Sequence, residues 1–270
     1  MLLLLTLAGG CSSHRTTHEG LNGTLWVQTS GEYEAITTQT FDIASTRLEE
    51  ALADSSWTAD LEQASGDYSK LPPAIIADVD ETILDNSPFQ ARLAIDEAEF
   101  SEDAWKQWVH KRSARALPGA KKFLDFADSK GVTIFYVTNR DADLEESTRV
   151  NLTQQDLPVD DSRDTLFMRG EKEGWGSDKA SRREVVAKEF RILLLLGDDL
   201  NDFFSGARTK EPGPRRELVE KHSEQWGRKW IVFPNPLYGS WEASLFGRAY
   251  SLPDEEKLRL KYGHLAPFEP

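Results

Sequence analysis

The segment Ala74-Ile75-Ile76-Ala77-Asp78-Val79-Asp80-Glu81-Thr82 constrains this chain most. An apolar run stops at two aspartates that stand one residue apart. A parallel strand buried on both faces reads as such a run. In open α/β sheets, ligand sites lie just past the carboxyl ends of these strands. Two neighbouring carboxylates repel, so a proton or a cation must relieve them. Beside a hard divalent cation, one can serve as ligand and nucleophile and the other as proton donor. Taken alone, the segment also reads as a strand followed by an acidic surface turn.

The rest of the chain supplies the setting. Apolar runs at 132–137, 165–168, 191–196 and 229–233 are predicted strands. Helical spacing predicts one or two helices within 35–61 and further helices over 89–116, 120–129, 143–155 and 179–189. Pro72-Pro73 launches the first strand, and Pro118-Gly119 and Gly131 bracket the helix 120–129. Strands alternating with helices mean an α/β fold, an open parallel sheet with helices on both faces. The expected organisation is a leader at 1–11, a flexible tether at 12–30 and N-terminal helices at 31–70. A core follows at 71–245, with a helical insert at about 85–117, and then a C-terminal extension at 246–270.

Composition narrows the function classes. With 270 residues, 39% hydrophobic and 29% charged, the chain holds one sizeable α/β domain with additions or two small domains. A net charge of -14 argues against nonspecific binding to nucleic acid polymers or anionic lipid. An anionic substrate stays compatible, because a bound metal overrides the global field. There is no apolar run of about 18 residues, so no transmembrane helix is expected. Cys11 is the only cysteine, so no intrachain disulfide can form, and the five histidines show no ligand spacing. Cys11 follows a leucine-rich stretch and small residues. This resembles the end of a bacterial lipoprotein signal, which implies lipidation at Cys11, and Ser12 resembles an outer-membrane sorting signal.

Three strands end in polar clusters: Asp78/Asp80, Thr138/Asn139 and Asp198/Asp199/Asp202. Lys179 opens a helix between the last two. In a parallel sheet the carboxyl ends share one edge, so these groups can converge. Each residue type suits phosphoryl transfer, which needs charge neutralised and the attacking and leaving oxygens held in line. Asp78 and Asp198 suit Mg²⁺. Asp78 can form an acyl phosphate, and Asp80 can move the leaving-group proton. The Thr138 hydroxyl and the Lys179 ammonium can bind phosphoryl oxygens. Singly, each cluster is also an ordinary turn, cap or solvated helix start.

Asp78-Val79-Asp80-Glu81-Thr82, Val137-Thr138-Asn139-Arg140, Lys179 and Gly197-Asp198-Asp199-Leu200-Asn201-Asp202 resemble the four motifs of the haloacid dehalogenase (HAD) superfamily. More narrowly the chain is similar to class C bacterial acid phosphatases, outer-membrane lipoproteins that act as 5'-nucleotidases. Further matching stretches include Leu84-Asp85-Asn86-Ser87-Pro88, Ser181-Arg182-Arg183 and Ile231-Val232-Phe233-Pro234-Asn235-Pro236-Leu237-Tyr238. The resemblance implies a HAD-like Rossmannoid sheet with a smaller, mainly helical cap-like region. It implies a Mg²⁺-dependent phosphomonoesterase that forms an aspartyl-phosphate and acts on nucleoside 5'-monophosphates and other small esters.

By that resemblance Asp78 is the nucleophile and Asp80 the general acid/base. The metal is held by Asp78, the backbone carbonyl of Asp80, and Asp198. Asp199 and Asp202 are supporting acids or alternative ligands; the family usually carries Asn where Asp199 stands. Thr138, Asn139 and Lys179 bind the phosphoryl group, and Trp105 and Tyr238 clamp the leaving group. In a chain with eight tryptophans these two aromatics are as readily packing residues. The competing readings are another HAD-type hydrolase or phosphomutase, and a noncatalytic surface lipoprotein that binds a ligand on this scaffold. Oligomeric state does not follow from the sequence, and a homodimer is compatible with it.

Overall fold

The apolar runs pair as one parallel sheet. Across it lie β5 (Leu166–Arg169), β4 (Thr133–Asp141), β1 (Pro73–Ala77), β6 (Arg191–Gly197) and β7 (Trp230–Val232). The computed structural model describes residues 18–268. β1 holds the centre, and its side chains divide between two cores. Ile75 and Ala77 pack with Ile134, Tyr136 and Leu196 on one face. Ala74 and Ile76 pack with Phe135, Val137, Ile192 and Leu195 on the other. Burial on both faces explains why these strands read as unbroken apolar runs.

Helices cover both faces. α2 (Gly31–Ala53), α5 (Ala120–Ser129) and α6 (Glu145–Gln154) contribute Phe41, Leu48, Phe123, Leu124 and Leu152 to the first core. α7 (Ala180–Glu189) contributes Val186 to the second. α8 (Pro212–Lys221), α9 (Ser240–Leu245) and α10 (Asp254–Gly263) follow β6 and β7. No described helix is long and apolar enough to cross a membrane.

Three details differ from the sequence reading. The expected tether at 12–30 is helical from Leu21: α1 (Leu21–Thr29) is pinned by buried Val27 and by Trp26, whose ring meets Tyr33 edge-on at 5.3 Å. The helical region expected over 89–116 is two helices, α3 (Ser87–Asp96) and α4 (Glu102–His110). Its last residues belong to a two-stranded ribbon, β2 (Leu84–Asp85) with β3 (Arg115–Ala116). Ser101 makes the break, since its side chain accepts the Ala104 N–H at 3.2 Å and caps α4. Cys11 lies outside the described residues.

Register sets the site. Ala77 stands opposite Tyr136 on one side and Leu196 on the other. The residues just beyond, Asp78, Thr138 and Asp198, therefore emerge together at the carboxyl edge.

Candidate active site

Asp78 leaves β1 with its N–H still bonded to the Leu196 carbonyl at 2.9 Å. Its carboxylate, with those of Asp198 and Asp202, forms a group whose oxygens lie within 4.8 Å of one another. Lys179, 3% exposed, reaches Asp78 at 2.5 Å and Asp202 at 2.6 Å. Gly197 makes this possible, because a Cβ there would collide with the Asp202 side chain. Burial pushes the Asp78 carboxyl up to about 7, against the pull of Lys179 and with further push from Asp202 and Asp80. Burial, then Asp202 and Asp78, hold Asp198 well above the usual carboxylate range. Burial works to lower Lys179, but Asp202 and Asp78 raise it above the ordinary lysine value.

Three carboxylates against one ammonium leave an excess of negative charge. Burial first, and that excess after it, raise the proton affinity of Asp78 and Asp198. An all-oxygen, carboxylate-rich set of this kind fits a hard divalent cation. Asp202, only an alternative or supporting acid from the sequence, is a full member of the group.

Asp199 has other work. It accepts the Ser240 N–H at 2.7 Å and the Asn201 N–H at 3.0 Å, and Arg215 stands 3.7 Å away. It thereby latches the 3-10 turn Leu200–Asp202 to the start of α9. Burial acts to raise its carboxyl, but these N–H bonds and Arg215 leave it below the ordinary value.

Asp80 turns away from the cluster. Its Oδ1 accepts Arg140 Nη2 at 2.7 Å, Arg140 Nε at 3.0 Å and Asn86 Nδ2 at 2.9 Å. The two aspartates that open the motif thus sit in different environments, one among acids and Lys179, the other on a guanidinium.

Thr138 and Asn139 follow the β4 residue paired to the edge. The Thr138 hydroxyl accepts the Arg140 N–H at 3.1 Å. The Asn139 side chain is engaged on both ends: Nδ2 donates to Ser177 O at 3.1 Å, and Oδ1 accepts from Arg182 at 2.7 Å. Arg182, fully buried, also donates to the Thr138 carbonyl and to Gly176 O at 2.8 Å. Burial lowers Arg182 to about 10 despite Asp78 and Asp202 nearby. What the loop offers beyond these bonds is its backbone, shaped from beneath by Arg182, and the Thr138 O–H, which the bond from Arg140 leaves as a donor.

Trp105 belongs to an aromatic group with Phe89, 5.3 Å away, and the Arg140 guanidinium lies 5.6 Å from its ring centre. Tyr238 is half-buried and donates its hydroxyl to Glu81. Glu81 is buried, adopts a left-handed φ of 55°, and also accepts the Asn86 N–H at 2.8 Å. Burial and Asp80 hold its carboxyl well above the usual range. Backbone of this kind in a non-glycine residue is strained and recurs at functional sites.

The structure therefore gathers Asp78, Asp198, Asp202 and Lys179, and places Asp80, Thr138, Asn139, Trp105 and Tyr238 around them. Sequence reasoning missed Glu81, Asn86, Arg140 and Arg182 as site residues, and it missed Asn235, which donates to Asp198 at 2.7 Å. All five fall inside stretches quoted for the resemblance, which was the available signal.

Comparison with known proteins agrees with this geometry. Residues 7–241 match the family described as HAD superfamily, subfamily IIIB (acid phosphatase). The class C acid phosphatase of Bacillus anthracis superimposes with a TM-score of 0.81 in a crystal structure with tungstate bound and 0.80 in another. Each is 34% identical, covering 93% of this chain and 98% of that one. A stem 31 kDa glycoprotein of Glycine max is 26% identical over 163 residues, which span 59% of this chain and 57% of the relative. With the family model spanning most of its length and its strand-end acids grouped around Lys179, this chain belongs to subfamily IIIB of the HAD superfamily, the acid phosphatases.

Proposed function

We propose that this acid phosphatase hydrolyses small phosphate monoesters, nucleoside 5'-monophosphates among them, through a phosphoryl-aspartate on Asp78. The observation that carries the reading is the difference in surroundings between Asp78 and Asp80. Asp78 sits against Lys179 at 2.5 Å, while Asp80 is held by Arg140 at 2.7 Å. A nucleophile must face an anionic phosphoryl group beside positive charge, and a proton donor must face the leaving oxygen.

In the first step an Asp78 oxygen bonds to phosphorus as the ester P–O bond breaks. Asp80 gives its proton to the departing oxygen, releasing an alcohol. In the second, Asp80 takes a proton from water as that water attacks phosphorus. The Asp78–phosphorus bond breaks, inorganic phosphate leaves, and both aspartates return to their starting states. Lys179 and the backbone around Thr138 and Asn139 orient the phosphoryl oxygens throughout.

Asp78, Asp198 and Asp202, with the Asp80 carbonyl, would hold Mg²⁺, which when bound neutralises charge on the phosphoryl oxygens. That the B. anthracis relative binds tungstate supports oxyanion binding by this fold, tungstate being a tetrahedral dianion like phosphate. Trp105 and Tyr238 flank the leaving-group side. The sequence resemblance at Cys11 supports a lipid anchor at the bacterial outer membrane.

The test is a panel of nucleoside monophosphates, sugar phosphates and glycerol phosphate, assayed for phosphate release with Mg²⁺ and with chelator. Release from nucleotides that chelation abolishes supports the reading. Full turnover in chelator rules out the metal, and a flat response across the panel rules out the nucleotide preference.

A further inference from the structure

Arg140 has no part in the steps above, yet it is 1% exposed and turns two of its three guanidinium nitrogens on Asp80. Nη2 and Nε donate to Asp80 Oδ1 at 2.7 and 3.0 Å, and Nε reaches Oδ2 at 3.2 Å. Nη1 donates to Thr148 Oγ1 at 3.0 Å, and that hydroxyl in turn donates to Leu144 O at 2.9 Å. The Trp105 ring lies against the guanidinium at 5.6 Å. The fork is therefore held at its far end and along its face before it meets Asp80. A planar guanidinium fixes a carboxylate in plane as no ammonium can.

Asn86 completes the cradle. It is fully buried. Its Oδ1 accepts Trp108 Nε1 at 2.8 Å, so its Nδ2 must point the other way, where it donates to Asp80 Oδ1 at 2.9 Å. Oδ1 of Asp80 is thus the anchored oxygen. Among the described residues Oδ2 accepts one hydrogen bond, the 3.2 Å approach of Nε.

We propose that Arg140 is a positioning residue for leaving-group departure: by pinning Oδ1 of Asp80, with Asn86, it presents Oδ2 as the oxygen that carries the proton to the ester oxygen. This rests on the reading of Asp80 as the acid. In that step the Oδ2–H bond breaks, the proton bonds to the ester oxygen, and the P–O pair leaves with that oxygen as alcohol. Asp80 remains as carboxylate on Arg140. Misplacing such a group by about 1 Å costs on the order of 10²-fold in rate.

The leaving group supplies the test. A nitrophenoxide departs without a proton, because its charge is delocalised, whereas a ribose alkoxide requires one. The quantity to read is kcat/KM for adenosine 5'-monophosphate divided by kcat/KM for p-nitrophenyl phosphate, both at saturating Mg²⁺. Both values come from one preparation, so the ratio is independent of the fraction folded. Asp80→Asn is expected to lower the ratio about 10²-fold or more. Arg140→Met and the better-tolerated Arg140→Lys are expected to lower it about tenfold or more, through lost aim. If Asp80→Asn shifts the ratio while both Arg140 variants slow the two esters equally, Arg140 is a structural residue and the proposal is wrong. If Asp80→Asn leaves the ratio unmoved, the reading of Asp80 as the acid fails and takes the proposal with it.

Discussion

Lys179 Nζ lies 2.5 Å from an oxygen of Asp78 and is buried there with it. On the proposed mechanism, an ammonium so placed balances Asp78 at rest and meets an incoming phosphoryl group. Lys179→Met is expected to lower kcat by about 10²–10³-fold, the usual loss when a preorganised charge is removed from a transition state. It also strips the acids of their internal cation. In chelator the variant should melt below wild type, and added Mg²⁺ should raise its Tm by more than it raises the wild type's. Thermal melts in both conditions check this. An equal Mg²⁺ response in the two proteins would mean that Lys179 does not share the cluster's charge.

Asp199 and Asp202 stand three residues apart and do different things. Asp202 sits in the carboxylate group with Asp78 and Asp198. Asp202→Asn is expected to weaken Mg²⁺ binding at least tenfold, within the range for altered metal surroundings of about 10–100-fold. Asp199→Ala removes acceptors from Ser240 and Asn201. It is expected to reduce stability by about 1–3 kcal/mol with Mg²⁺ affinity near wild type. Calorimetric titration and denaturant unfolding of the two variants separate the roles.

The lowered carboxyl of Asp199 gives that latch a pH signature. A group depressed in the folded state contributes stability above its unfolded value, near about 3.9 for aspartate. The contribution is lost as pH falls through the lower folded value. The stability gap between wild type and Asp199→Asn should therefore be constant from mildly acid to neutral pH and shrink only below about pH 4. Urea melts at a series of pH values test this; a gap that closes at neutral pH contradicts it.

Tyr238 is tied by its hydroxyl to Glu81, which steadies the ring at the edge of the site. Tyr238→Ala is expected to raise KM for a nucleoside monophosphate by about 5–150-fold, the equivalent of about 1–3 kcal/mol of stacking. KM for glycerol phosphate should change little. Tyr238→Phe keeps the ring and should keep KM near wild type. If both esters respond alike to Tyr238→Ala, the ring is not a base platform.

Much of this arrangement was legible because it follows chain order. Apolar runs that stop at Asp78, Thr138 and Asp198 mark the ends of parallel strands, and such ends share an edge by topology. Lys179 was legible because it stands just before a helix whose start faces that edge. The residues that went unread are set by distance in the fold rather than by local pattern. Arg140 meets Asp80 across 60 positions, and Arg182 supports Asn139 across 43. Asn235 meets Asp198 only because β6 and β7 pair. Glu81 was hidden for another reason: a left-handed φ of 55° is not what a glutamate proposes, and it is imposed by the turn that follows β1. The helix at Leu21–Thr29 went unread because it is short and carries Gly23, a poor helix former, and is held in place by the buried Thr24 and Val27 and by Trp26.

The most direct measurement is capture of the phosphoryl group on the protein. Enzyme turning over a ³²P-labelled nucleoside monophosphate in Mg²⁺ is quenched in acid and digested. The label is expected on the peptide containing Asp78, to be released by hydroxylamine as an acyl phosphate is, and to be missing from Asp78→Ala, which should also release no phosphate. Sustained phosphate release by Asp78→Ala, or label on any other residue, would contradict the covalent route through Asp78.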